Sequence, residues 1–236
     1  MIETIRTEWK RAQADLLSGE FFRRMQDGTL TLEHYKIWLR ETYYNTRENP
    51  TSFALMAGHL KGGQRDISKR IFRHCAAEYG HHELALADLG ALGVDVSGLP
   101  DGRPLATTEA LIAFAIYHIH QGKPASYLGY VFHLEMLASG KGEHLIKSLA
   151  GIGVPENAMS FLTEHAEADV GHTKWLEQNF REAIATEEDL EAVIHVATGS
   201  CKLYGIMLQG IMDEAAGKHD WRPADLVTTK AKVRAS

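Results

Sequence analysis

Acids and histidines recur along this chain at spacings that suit metal ligation. Glu78 and His81 are three residues apart, as are Asp169 and His172. Between them Glu135 stands alone in the largely apolar run YVFHLEML, and upstream Glu41 and Glu48 lie seven apart. An α-helix turns about 100° per residue, so side chains at i and i+3 point the same way and can hold one ion, while a lone carboxylate can bridge two. The order Glu, Glu-x-x-His, Glu, Asp-x-x-His is the ligand grammar of a two-metal carboxylate site in a helical bundle. In HAEADVGHTKWLEQNF, His165 precedes Asp169 by four and shares one stripe with it and with His172, which makes His165 an extra nitrogen ligand. Mixed carboxylate and imidazole donors suit iron or manganese better than structural zinc, which favours thiolates.

Each residue also has a plainer explanation. A single Glu-x-x-His is common by chance, and the neighbouring His82 is as good an inward candidate as His81. The His165, Asp169 and His172 stripe would pass for an exposed face, except that Glu164, Glu167 and Lys174 already supply one on the same helix. Glu135 argues most strongly for a site, because a charge in an apolar helix is seldom buried unpaired. The second-helix carboxylate stays open between Glu41 and Glu48. The remaining histidines, His74 among them, show no comparable pattern and are expected to be structural or exposed.

These residues need long helices to carry them, and the pattern supplies them. The 236 residues contain six prolines and no Asn-Gly hairpin signal, and apolar positions repeat at about 3.6 residues. Helices are predicted over 2–17 and 21–26, then from a cap at Thr31 to Leu60 with Pro50 kinking or breaking the run. Another covers Gln64 to Leu89, followed by the Gly/Pro/Asp-rich loop GALGVDVSGLPDGRP. An apolar helix starts near Thr107 or Thr108. Pro124 and Pro155 serve as first-turn residues of the two helices that follow, and a Thr186/Asp189 capping box opens the last, 187–216. The expectation is an all-α bundle of about seven to eight helices, a single domain over 1–220 with a tail over 221–236.

With 44% hydrophobic residues the chain can bury a sizeable core, and its net charge of −6, with scattered Lys and Arg, gives no footprint for nucleic acid. The N-terminus lacks signal-peptide blocks and no apolar run approaches membrane-spanning length, so a cytoplasmic protein without a membrane partner is expected. Cys75 and Cys201 make neither a disulfide framework nor a CxxC pair. Apolar helix faces are compatible with a homodimer.

Four stretches together resemble the heme-oxygenase-like iron-containing oxidases, relatives of the TenA thiaminases and the pyrroloquinoline-quinone synthase. RRMQDGTLTLEHYKIWLRETYYNTREN is similar to their second-helix region and EYGHHELALADLGALGV to their Glu-x-x-His helix. YVFHLEMLASGKGEHL is similar to the helix with a single glutamate, and HAEADVGHTKWLE to their His-x-x-x-Asp-x-x-His signature. The resemblance covers about residues 20 to 215 and implies a TenA-like helical fold. It implies Glu78, His81, Glu135, His165, Asp169 and His172 as ligands of two iron ions, with manganese as a substitute. Glu48 is the choice for the remaining carboxylate. Glu41 then falls where TenA-like proteins carry a pocket acid, ahead of Tyr43 and Tyr44, and is expected to face the substrate. Tyr127 and Tyr130 are further pocket candidates, and Glu135 and Glu41 are the catalytic ones.

The activity implied is oxidation of a small amino-acid-, amine- or fatty-acid-like substrate with O2. Two alternatives differ in class. One is a metal-free TenA-like hydrolase of a thiamin-type pyrimidine, with Glu135 as acid or base; the other is a ferritin-like iron-binding protein without turnover. TenA hydrolases carry a cysteine nucleophile six residues before the glutamate matching Glu135, and here that position is Gly129. Heme oxygenases hold heme through an early-helix histidine, and residues 2–17 contain none.

Overall fold

The computed structural model describes residues 1–121, 123–167 and 169–218, and the side chains of residues 63, 65, 140 and 166–173 lie outside the description. The tail over 221–236 lies outside it as well. Among the described residues there are eleven α-helices and no strand. They are α1 (Ile2–Leu17), α2 (Glu20–Gln26), α3 (Leu32–Arg47), α4 (Asn49–His59), α5 (Arg65–Glu78), α6 (His81–Ala91), α7 (Ala106–His120), α8 (Leu128–Gly151), α9 (Ser160–Glu167), α10 (Asp169–Ala183) and α11 (Glu187–Ala215).

The expected seven to eight helices become eleven because long runs divide. Pro50 sits in the first turn of α4 and separates it from α3 at Glu48, since proline has no N–H to continue the helical hydrogen bonding of α3. The run expected over 64–89 breaks at Tyr79 and Gly80, where Tyr79 is extended and Gly80 adopts φ 100°, ψ −13°. That left-handed conformation is open to glycine and costly for other residues. Pro124 and Pro155 open short 3₁₀ turns ahead of α8 and α9 rather than the helices themselves, and α8 runs on to Gly151. Thr31 and Thr186 both form reciprocal capping boxes, with His34 and Asp189.

α11 is the spine. Its buried stripe of Val193, Val196, Ala197, Ser200, Tyr204, Met207, Leu208 and Ile211 follows three- and four-residue steps and packs against α1, α3, α7 and α8. α7 buries only the face bearing Thr108, Leu111, Ala115 and Ile119, and Tyr117 is exposed, so it is less enclosed than its apolar sequence suggests.

One buried histidine ties α1 to α8. Trp9 Nε1 donates to His133 Nδ1 at 3.0 Å, which leaves the proton of the neutral ring on Nε2. Burial pushes the His133 pKa down to about 3, against about 6.5 in an unfolded chain. The folded state therefore binds fewer protons than the unfolded state between those values, and stability falls as pH drops below about 6.5, with a limiting slope of about 1.4 kcal/mol per unit. In His133→Gln the amide oxygen can still accept from Trp9. Thermal unfolding from pH 7 to pH 4 should show a smaller fall in Tm for this variant than for wild type, and parallel curves would assign the acid lability elsewhere.

Candidate metal centre

Glu78 is the last residue of α5 and His81 the first of α6, so the turn at Tyr79 and Gly80, not continuous helical spacing, brings them together. Glu78 Oε2 lies 3.3 Å from His81 Nδ1, and Glu78 Oε1 lies 3.6 Å from His74 Nε2. His165 arrives from α9, its ring 5.3 Å from that of His81 and stacked on Phe161 at 4.1 Å. One ligand atom from each of Glu78, His81 and His165 lies within 4.8 Å of the others.

The electrostatics prepare these donors. Burial opposes ionisation of Glu78, but the facing His81 and the nearby His74 and His165 outweigh it, holding the carboxyl below its usual range. His165 is pushed down, chiefly by burial, so it is neutral at physiological pH. Its Nδ1 is 2.7 Å from the Phe161 carbonyl, an acceptor, so Nδ1 carries the proton and Nε2 presents a lone pair. This is the carbonyl-to-histidine support that orients metal-binding imidazoles.

A cavity of about 140 Å³ adjoins the cluster, and Glu78, Glu135 and His165 line it. Its other walls are Phe21 and Phe22 from α2, Trp38, Thr42, Asn45 and Thr46 from α3, Asn49 from α4, Phe161 and Leu162 from α9, Tyr204, Met207 and Leu208 from α11, and a face of α8. Glu135 also contributes to the field at His165. Asp169 and His172 lie outside the described side chains, on α10, so their expected ligation rests on sequence order alone.

The second-helix acids are engaged elsewhere. Glu41 is fully buried, pairs with Arg40 at 2.7 Å and accepts the Leu105 N–H at 2.9 Å, at the start of α7. It does not line the cavity, which departs from the expectation that it faces a substrate. The physical reason is the demand of the α7 N-terminus for an anion, joined to the Arg40 bridge between Glu41 and Glu214. Glu48 caps the end of α3, lies 3.1 Å from Arg47 Nε and is likewise absent from the cavity wall. α3 and α4 instead contribute the neutral groups of Thr42, Asn45, Thr46 and Asn49.

The four candidate pocket tyrosines sit behind the wall, not on it. Arg47 lies over the rings of Tyr43 and Tyr44, and Tyr43 packs beside His82. Tyr127 packs between Phe53 and Tyr130, and the Tyr130 hydroxyl donates to Asn45 Oδ1 at 3.0 Å. That contact orients the Asn45 amide. The aromatic groups that do reach the cavity are Phe21, Phe22, Trp38, Phe161 and Tyr204, whose helical spacing looks like ordinary core in the sequence.

His74 was not expected. It is buried, stacks on Trp175 at 4.1 Å, and its only sequence signal is the four-residue spacing to Glu78. Asp88 was not expected either. It is fully buried on α6, and its two oxygens accept the backbone N–H groups of Ser160 (2.9 Å) and Phe161 (3.0 Å) and the Ser160 hydroxyl (2.6 Å). Gly129, at the position of the TenA nucleophile, has no room for a side chain. A Cβ there would lie 2.3 Å from the Val193 carbonyl oxygen and 2.8 Å from the Ala197 nitrogen.

Residues 36–205 match the profile of a family described as iron-containing redox enzymes. The chain belongs to that family. Among curated proteins, none matches the sequence significantly. A domain of unknown function with a heme oxygenase-like fold from Shewanella denitrificans is 25% identical, with a TM-score of 0.86 over 94% of this chain and 97% of the other. A TenA homologue from Pseudomonas syringae pv. tomato is 15% identical, with a TM-score of 0.75 over 89% and 92%. A TenA homologue from P. horikoshii is 10% identical, with a TM-score of 0.69 over 90% and 96%. The fold is therefore heme-oxygenase-like, as the family membership requires.

Two substitutions test how the cluster is supported. His74→Phe keeps a ring against Trp175 but removes the partner of Glu78, and metal affinity measured by competitive chelation should fall about tenfold. Asp88→Asn retains one acceptor but turns an N–H donor toward the α9 start. It should destabilise the fold by about 1–3 kcal/mol in denaturant unfolding, with metal affinity falling alongside.

Proposed function

We propose that this chain is a non-heme di-iron oxidase that uses O2 to oxidise a small organic substrate. The observation that carries this reading is the convergence of Glu78, His81 and His165 from three helices within 4.8 Å, beside a cavity that Glu135 also lines. The donor set fits iron: two imidazoles and two carboxylates, with one imidazole fixed in its tautomer and one carboxyl held ionised. Glu78, His81, His165 and Glu135 would hold metal, with Asp169 and His172 as the ligands implied by sequence order. Iron bound there supplies the redox chemistry with O2 that the protein's own side chains lack.

The chain's residues prepare the site. His74 and His81 keep Glu78 in its anionic, ligating form, and the Phe161 carbonyl keeps the His165 Nε2 lone pair directed away from its own helix backbone. Phe21, Phe22, Leu145, Leu162, Met207 and Leu208 exclude water from the cavity and favour an apolar substrate body. With its oxygen held by Tyr130, Asn45 has its amide N–H groups left as donors to a polar substrate atom. A covalent route of the TenA kind lacks its nucleophile, because Gly129 cannot gain a side chain without moving α11. No helix among the described residues is long and apolar enough to cross a membrane.

Metal analysis after anaerobic Fe(II) loading should give about two ions per chain, as in comparable bundle sites. Mixing with O2 should produce a transient absorption change and oxygen consumption. Uptake near zero, or full activity after exhaustive chelation, would sink this reading. His172→Ala should lose about one ion per chain, and unchanged iron content would remove His172 from the site.

A further inference from the structure

The cavity wall joins unlike groups: Glu78, Glu135 and His165 belong to it, and so do Phe21 and Phe22 of α2. α8 connects them. Among its lining residues Glu135, Ala138, Lys141, Gly142 and Leu145 follow steps of three and one along one face, and farther along Ser148 donates to the Met25 carbonyl at the end of α2.

Lys141 is the one cationic side chain among the described residues that line this cavity. It is half-buried and makes no ion pair with any described residue. It stands six residues after Glu135, about 9 Å along the helix axis at 1.5 Å per residue. Leu137, Leu145 and Leu162 line the cavity beside it, a setting in which a lysine stem packs on apolar surface while its ammonium seeks a polar partner.

We propose that Lys141 anchors the anionic head of the substrate, and that the substrate is an apolar-bodied monocarboxylate lying along α8 with its reacting carbon toward Glu78 and His165. The direction of reaction rests on the di-iron oxidase reading above; the anion site does not. One consideration favours this orientation over the reverse: an apolar tail laid against Lys141 would leave an ammonium facing hydrocarbon. A single lysine, with no arginine in the described wall, suits one negative charge better than a phosphate dianion, which calls for more donors. Oxidation then falls on a carbon remote from the carboxylate.

Calorimetric titration of the full-length protein, Mn(II)-loaded and metal-free, with octanoate, octanol and octyl phosphate tests this. Octanoate should bind both forms at least about tenfold more tightly than octanol, and more tightly than octyl phosphate. Its affinity, unlike that of octanol, should fall with added salt. Lys141→Gln should weaken octanoate about tenfold while sparing octanol, and Lys141→Arg should restore it. The salt dependence of wild type provides the test should the Gln variant fold poorly. Equal octanoate affinity in wild type and Lys141→Gln would overturn the proposal, as would salt-independent binding. Octanoate binding confined to the metal-loaded form would also overturn it, by placing the carboxylate on the metal. Metal content measured on the same samples separates the two readings: Lys141-dependent octanoate binding in a chain that takes up no iron would leave the anion site standing and the oxidase reading refuted.

Discussion

The grip of Asp88 on the first turn of α9 sets the geometry on which the candidate centre depends. α6 begins with His81 and carries Asp88 seven residues later, two turns down and on the same face. α9 begins at Ser160 and carries His165 in its second turn. By accepting N–H groups of Ser160 and Phe161, the buried Asp88 carboxylate binds the two helices that bear the two imidazoles into one unit. A buried carboxylate without such donors would be strongly destabilising, and an uncapped helix start would leave orphan N–H groups; each group resolves the other's cost. The same acid also fixes Phe161, whose carbonyl holds His165 and whose ring stacks on it.

Glu41 works by the same logic at another junction. It is fully buried on α3, takes the Leu105 N–H before α7, and shares Arg40 with Glu214 of α11. Glu41 and Asp88 are thus acids from one helix that satisfy the N-terminus of another. Glu78 differs in kind. Its described neighbours include the histidines His74 and His81, and it lines a cavity. Burial alone does not separate Glu41 and Asp88 from Glu78; the identity of their partners does.

This distinction explains which parts were legible in the sequence. Helix starts at Thr31 and Thr186 are readable because their caps are local, three residues from their partners. Glu78, His81 and His165 stand out in the sequence by residue type and order, although the turn at Gly80, not helical spacing, joins Glu78 to His81. The role of Glu41 is not, since its backbone partner lies 64 residues away and nothing near Glu41 announces it. Gly80 is hidden for a different reason: a glycine inside an apolar pattern is tolerated in helices, and only its φ of 100° reveals that it turns the chain. Asn45 and Asn49 carry no charge and no ligand spacing, so their places on the cavity wall had no signature. His74 had one, four residues before Glu78, but a single histidine at that distance is too common to weigh.

Separating the polar groups from the apolar walls gives the cavity a direction. α3 and α4 contribute hydroxyls and amides, α2 and α11 contribute mostly apolar side chains, and α8 contributes an acid near one end and a lysine about 9 Å farther along. A symmetric apolar substrate would gain nothing from this arrangement and would bury its hydrocarbon against Asn45, Asn49 and Lys141 at a cost. A molecule with one anionic end and one oxidisable end matches it along its whole length.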